Sequence, residues 1–254
     1  MKMARISTTV FDAELVGFLL SRLPAAAAVR HDPALPLQAR LAYYRSESPA
    51  GDHALVHAIA RELGREPAPP PQPLRPDPLL ERRLGQAWRL IAKQAPAAGA
   101  VLARLLGRVL LVEHGVLIAA SAPAFPGRIL LAPKRDWRCL DFVEAMVHEA
   151  SHLDLFLRQS VDPLVRPGPP LPSPLRSSLR PPLGVLHAAF VLRRVTMILC
   201  VPAIAGALGA AATVRLALRR HQLGQALSSL ACHDDFTPAG RRLLHALEKD
   251  GPPC

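Results

Sequence analysis

The pentapeptide His148-Glu149-Ala150-Ser151-His152 sets two imidazoles four positions apart, with a carboxylate beside the first. On a helix, positions i and i+4 lie one turn apart on one face, so both rings can turn a nitrogen toward a single ion. Glu149 then reaches a water on that ion and is the candidate catalytic group, as a base or as an orienting partner. The competing reading is two half-exposed histidines on a surface helix. Met146, Val147, Leu153 and Phe156 crowd the motif with apolar side chains, which predicts enclosed rings in need of partners and favours a metal.

The third ligand separates one class of metal enzyme from another. After Asp162 no Asp or Glu occurs until Asp234, a gap of seventy-one residues, so the carboxylate that a later helix contributes to many zinc peptidases has no nearby candidate. Leu155 and Arg158 occupy the places where an extended zinc-peptidase motif carries glycine and a third histidine. The next ligand-type side chain on a helix is His187. A lone histidine on an apolar helix face is usually a core residue held by hydrogen bonds, but two ligands already in place favour His187 as the third. Asp154 and Asp162 are weaker candidates, and His221 and His233 weaker still.

Three imidazoles on an octahedral ion leave up to three positions open, the requirement of a non-haem iron oxygenase that binds a bidentate cosubstrate and then dioxygen. If the cosubstrate is 2-oxoglutarate, its far carboxylate also needs a cation. The segment SPLRSSLRPP supplies Ser173, Arg176, Ser177 and Arg180 just before His187, and arginine grips a carboxylate through two parallel N–H bonds. In an arginine-rich chain the same segment also reads as a solvated basic loop.

The elements that must position these residues follow from periodicity. Residues 1–65 read as an N-terminal helical lobe: Phe11, Leu15, Phe18, Leu19 and Leu23 recur at helical spacing, as do Val56, Ile59 and Leu63. Residues 66–78 form a proline-rich connector, and 79–250 a metal-binding catalytic domain. Helices are predicted from about Leu79 to Lys93 and from about Ala98 into Leu106. RVLLVE, VLIAASA and GRILLAP then read as three short strands of a small antiparallel sheet. Asp141 and Glu144 form a D-x-x-E capping box for the HEASH helix. A second proline-rich loop runs from Pro163 to Pro182, where Pro181 and Pro182 open the His187 helix.

Composition bounds the rest. The 254 residues carry a net charge of +11, nearly all from scattered arginines, with no run interleaving them with aromatics and no nucleic-acid motif. Nucleic acid is therefore not an expected partner, whereas an acidic peptide or small carboxylate suits the charge. Four cysteines without CxxC spacing read as thiols of a cytoplasmic protein. Val195 to Val214 carries no charge and meets the length rule for a membrane span, but Pro202, Gly206 and Gly209 predict two buried helices broken near Pro202 instead.

Three blocks, SAPAFPGRILL, FVEAMVHEASH and SPLRSSLRPPLGVLHAAFVLRR, together resemble the 2-oxoglutarate-dependent HExxH-type peptide β-hydroxylases, also known as HExxH-motif peptide-modification proteins. The resemblance covers about Ser121 to Arg194, in the same block order. It implies an Fe(II) enzyme that consumes 2-oxoglutarate and O2 and hydroxylates a β-carbon in a ribosomally made precursor peptide. Carried over by position, His148, His152 and His187 would hold iron, Arg176 and Arg180 would anchor the cosubstrate with Ser173 beside them, and the N-terminal lobe could dock the peptide. The expected fold is α+β and mostly helical, with a zincin-like core of the small antiparallel sheet on the HExxH helix. The rival expectation is a zinc peptidase with Glu149 as general base.

Overall fold

Residues 10–23, 32–63 and 69–249 are described by the computed structural model. The chain is mostly helical with a small mixed sheet. Helix α1 (Ala13–Ser21) starts where Asp12 accepts the Leu15 N–H at 2.8 Å, satisfying one of the unpaired donors of the first turn. Strand β1 (Leu41–Tyr43), helix α2 (Ala50–Leu63) and strand β2 (Gln72–Pro73) follow. Helix α3 (Pro78–Gln94) combines an Asp77 cap with proline in its first turn, and α4 (Pro96–Leu105) opens on proline as well.

Strands β3 (Arg108–Glu113) and β5 (Arg128–Leu131) coincide with the first and third apolar runs of the sequence, whereas β4 (Ala119–Ala120) keeps only two residues of the second. Their pairing corrects the expected antiparallel arrangement. β5 lies between β3 and β4, parallel to β3 and antiparallel to β4, while β1 adds parallel to the other side of β3. β2 takes over beside β3 at Val112 and Glu113, past the end of β1. Burial accounts for the order. The central residues of β3 and most of β5 are buried on both faces, as parallel strands require, whereas the half-buried Ala119 and Ala120 suit an edge.

The two faces of the sheet are covered by different helices. Leu110, Val112, Leu130 and Ala132 pack on Leu55, Val56 and Ile59 of α2. Val109, Leu111, Ile129 and Leu131 face the larger core with α1, α3, α4 and the motif helix α5 (Cys139–Val161). The described residues before the proline-rich connector therefore share one sheet and one core with those after it.

The capping box at the start of α5 also differs from expectation. Asp141 accepts the Arg138 N–H at 2.8 Å, but Glu144 points away to Arg215 and Arg219. The second proline-rich loop is not structureless, since Leu171–Ser173 (β6) and Arg176–Arg180 (β7) form an antiparallel hairpin. Helix α6 (Pro182–Leu199) begins on Pro182. The uncharged stretch breaks at Pro202 as expected, with α7 (Pro202–Leu208) and α8 (Ala210–Ala231) following separately, but its part after Pro202 is largely exposed rather than buried, Ile204 and Ala212 apart; α9 (Pro238–Lys249) ends the described chain. Helix α6 is long and apolar enough to cross a membrane, but 78% of it lies buried inside the protein. A second core gathers α6, α8 and α9 around Phe190, Leu223, Leu230 and Leu247. Cys139 and Cys232 are free thiols, whereas Cys200 is disulfide-bonded, which departs from the expectation that all four cysteines stay reduced.

Candidate metal centre

The HEASH segment lies in the middle of α5, and α6 packs against it. This packing brings His187 to the motif. The Nε2 atoms of His148 and His152 stand 3.1 Å apart, and the Nδ1 atoms of His152 and His187 stand 3.0 Å apart. Phe156 closes one side, its ring stacked on His152 with centroids 6.0 Å apart and tilted against His187 at 5.1 Å. His187 is nearly enclosed at 9% exposure, whereas His148 and His152 are half-buried and keep some access to solvent.

Burial and charge keep all three rings neutral. His148 is pushed down to about 4 by burial and then by the charge of Arg219. Burial lowers His152 to about 3, helped by His148. His187 falls to about 3 through burial, His152 and Arg180. A neutral imidazole is the metal-ligating form, so the donor set suits a transition-metal ion. The His148–His152 pair fits as it stands: imidazole nitrogens about 2.0–2.1 Å from one ion and 3.1 Å from each other subtend roughly 100°, between square and tetrahedral angles.

His187 does not share that point. It meets His152 through the ring nitrogen opposite the one facing His148, so the three imidazoles form a chain rather than a triangle. Accordingly, no group of three or more His, Cys, Asp or Glu among the described residues is arranged around one ion.

Glu149 is buried beside the pair at 3% exposure, and its Oε2 accepts the Ser121 hydroxyl at 2.7 Å. Burial raises its carboxyl to about 7, and the Ser121 bond only partly offsets this. A group poised there can hold or release a proton near neutral pH.

The hairpin arginines occupy unequal positions. Ser173 pairs with Arg176 at the turn end, while Arg180 sits opposite Leu171, where the hairpin joins α6. Arg180 lies against Gly184 and is near enough to His187 for its charge to lower that ring. Arg176 is four residues, about 13 Å of strand, further out. Ser173 borders a groove shared with Arg220, His221 and Gly224 of α8.

Of the weaker ligand candidates, Asp154 and His233 have other partners. Asp154 is fully buried and bound by Arg158 and Arg194, and Asp162 follows the end of α5. His221 is exposed on α8, and His233 packs edge-on against Phe236 at 5.2 Å.

Three neighbours of the cluster escaped the sequence reading. The carboxamide nitrogen of Gln159 stands 2.8 Å from Nε2 of His187; its place seven residues after His152, on the same helix face, was a usable signal. Ser121 had only its proximity to a strand, and Arg219 gave no signal. Comparison with protein-family models gave no match for this chain, and comparison with curated proteins gave none either.

Proposed function

We propose that the chain is an Fe(II)/2-oxoglutarate-dependent hydroxylase acting on the β-carbon of residues in a ribosomally made precursor peptide. The observation that carries this reading is the approach of His187, from beyond the hairpin, to within 3.0 Å of His152 of the HExxH motif. The common donor set of non-haem iron oxygenases is two histidines and a carboxylate; three imidazoles leave the same number of open positions and are the set that the resemblance to the peptide β-hydroxylases implies. Helix α5 running beneath an edge strand, with Ser121 just past that strand on Glu149, supports the zincin-like core.

In this reading His148 and His152 hold the ion, with His187 as the third ligand. Bound iron would couple oxidative decarboxylation of 2-oxoglutarate to dioxygen activation, one oxygen atom entering succinate and the other the peptide. Arg180, beside His187, anchors the far carboxylate of the cosubstrate, with Arg176 and Ser173 further along the hairpin. Glu149 holds a proton near neutrality and orients a water next to the pair. Phe156 keeps one side of the cluster dry. The test is co-expression with a small precursor peptide encoded beside this chain, followed by mass spectrometry. The expected product gains one oxygen atom without losing residues.

One observation favours a second reading, a zinc peptidase. Glu149 is raised to about 7, as a general base for metal-bound water requires. That reading predicts a shortened peptide, formed equally well without oxygen.

A further inference from the structure

Where α1, the last turn of α5 and the start of α9 meet, they leave a cleft of about 60 Å³. Leu15, Phe18 and Leu19 of α1 line it, with Val161 of α5 and Ala239 and Leu243 of α9. Close packing fixes the α9 side. Thr237 Oγ1 donates to the Pro163 carbonyl at 2.7 Å, and Gly240 lies against the Leu164 carbonyl with no room for a side chain. Phe18 and Val161 are 48% and 54% exposed, so two large apolar side chains meet water around an unfilled apolar hole. Neighbouring exposed apolar groups of this kind mark a contact surface.

The cleft also carries charge. Arg158 lines it and is only 7% exposed. Its Nε and Nη2 donate to Asp154 at 2.8 and 3.3 Å, which leaves Nη1 without a partner among the described residues. Arg242 lines the cleft from α9, exposed to solvent, and Arg22 lies over the Phe18 ring at 4.8 Å. Asp162 is the one acid on the lining. Three guanidiniums against one carboxylate favour an anionic group beside an apolar anchor.

Size and charge select the occupant. A drug- or cofactor-sized ligand needs about 300 Å³ or more, so this hole takes a single branched aliphatic side chain. A second copy of the chain, with a net charge of +11, is a poor source of acidic neighbours. Residues 1–9, 24–31, 64–68 and 250–254, outside the described segments, join no Asp or Glu to a Leu, Ile or Val. A separate acidic peptide meets both requirements. Val161 lies nine residues after His152, about 14 Å along α5 and, at about 100° per residue, on the opposite side of the helix. A peptide held there is gripped through residues that do not react.

We infer that this cleft docks an acidic, unmodified part of the substrate peptide, through one Leu, Ile or Val side chain flanked by Asp or Glu. The inference rests on the reading that the chain acts on a peptide, which both proposed chemistries share. The experiment follows the fluorescence anisotropy of a short labelled peptide, one leucine set between glutamates, titrated with the full-length chain. Companion peptides carry alanine for the leucine or lysines for the glutamates. Wild type is expected to bind the leucine–glutamate peptide, the alanine peptide about tenfold more weakly or less, and the lysine peptide not at all. Arg242→Glu should weaken the first peptide about tenfold. Arg82→Glu, the same charge change at an exposed position of α3, should leave it within about twofold. Ala239→Leu, which fills the hole, should abolish binding; if it does not fold, Phe18→Ala takes its place with a roughly tenfold loss. No binding of the leucine–glutamate peptide, or equal binding of the alanine peptide, overturns the inference. Equal losses from Arg242→Glu and Arg82→Glu do so as well, since they mean diffuse attraction to a basic chain. A wild-type dimer in sedimentation that Phe18→Ala disperses puts a second copy in the cleft and overturns it too. Binding is read here without turnover, so its failure is distinct from failure of the peptide-acting reading, which the mass of the co-expressed peptide tests.

Discussion

His152 and His187 face each other through their Nδ1 atoms at 3.0 Å, although thirty-five positions of chain separate them. A neutral imidazole donates one hydrogen bond and accepts one. With the Gln159 amide nitrogen donating to His187, the series Gln159, His187, His152, His148 runs donor to acceptor throughout. Turning the Gln159 carboxamide over reverses the polarity: its oxygen accepts from His187 Nε2–H, and Nδ1 keeps its lone pair for a metal.

The Gln159 carboxamide therefore controls which His187 nitrogen can ligate. Gln159→Leu is expected to weaken Zn(II) binding roughly 10- to 100-fold in a competition titration, whereas Gln159→Glu, which only accepts at that position, keeps it. Equal affinity in wild type and the leucine variant means that His187 does not bind through Nδ1.

Glu149→Gln distinguishes the two chemistries. Ser121 can still donate to the new amide oxygen, so the fold and the proposed metal site persist. Glu149 has its folded pKa raised from 4.5 to about 7, so its ionisation costs stability once the pH exceeds the unfolded value, fully so above about 7. The variant should therefore melt several degrees higher than wild type at pH 8. It should retain part of its 2-oxoglutarate turnover if the enzyme is a hydroxylase, and lose all cleavage if it is a peptidase. Endpoint succinate assays and peptide mass spectra read both.

The histidines set the acid limit of the metal-free protein. Their folded values of about 3 to 4 lie below the ordinary 6.5, so the unfolded chain binds more protons between these limits, and stability falls as pH drops from about 6.5 toward 4. Glu149 acts in the opposite sense between 4.5 and about 7. Three imidazoles less one carboxyl leave an uptake of about two protons on unfolding near pH 5.5, which denaturant melts across pH 5 to 6.5 can measure. The triple variant in which each of the three histidines is replaced by glutamine should lose this slope.

Much of this site could be read locally. The HExxH pair, the opening of α6 at Pro182 and the break before Pro202 depend on spacing and proline geometry within a few residues. The sheet order does not: β5 goes between β3 and β4 because Leu130 and Leu131 must be covered on both faces, which no single strand reveals. Glu144 had the spacing of a capping residue, but Arg215 and Arg219 of α8, more than seventy positions away, claim it. Ser121, Arg219 and the Asp154–Arg194 tie are products of tertiary packing in the same way.

The two hairpin arginines should differ. Arg180→Ala is expected to raise the KM for 2-oxoglutarate about tenfold or more, and Arg180→Lys should not fully restore it, since lysine cannot fork a carboxylate. Arg176→Ala, further along the strand, should change it less. The reverse order places the cosubstrate toward the hairpin turn.

The most direct measurement of the central claim is succinate release by the purified chain supplied with Fe(II), 2-oxoglutarate and air, compared with His187→Ala under the same conditions. The account predicts succinate in step with 2-oxoglutarate consumed by wild type, even as slow uncoupled turnover without peptide, and none above background from the variant. No succinate with iron, together with oxygen-independent peptide cleavage in the presence of zinc, contradicts it.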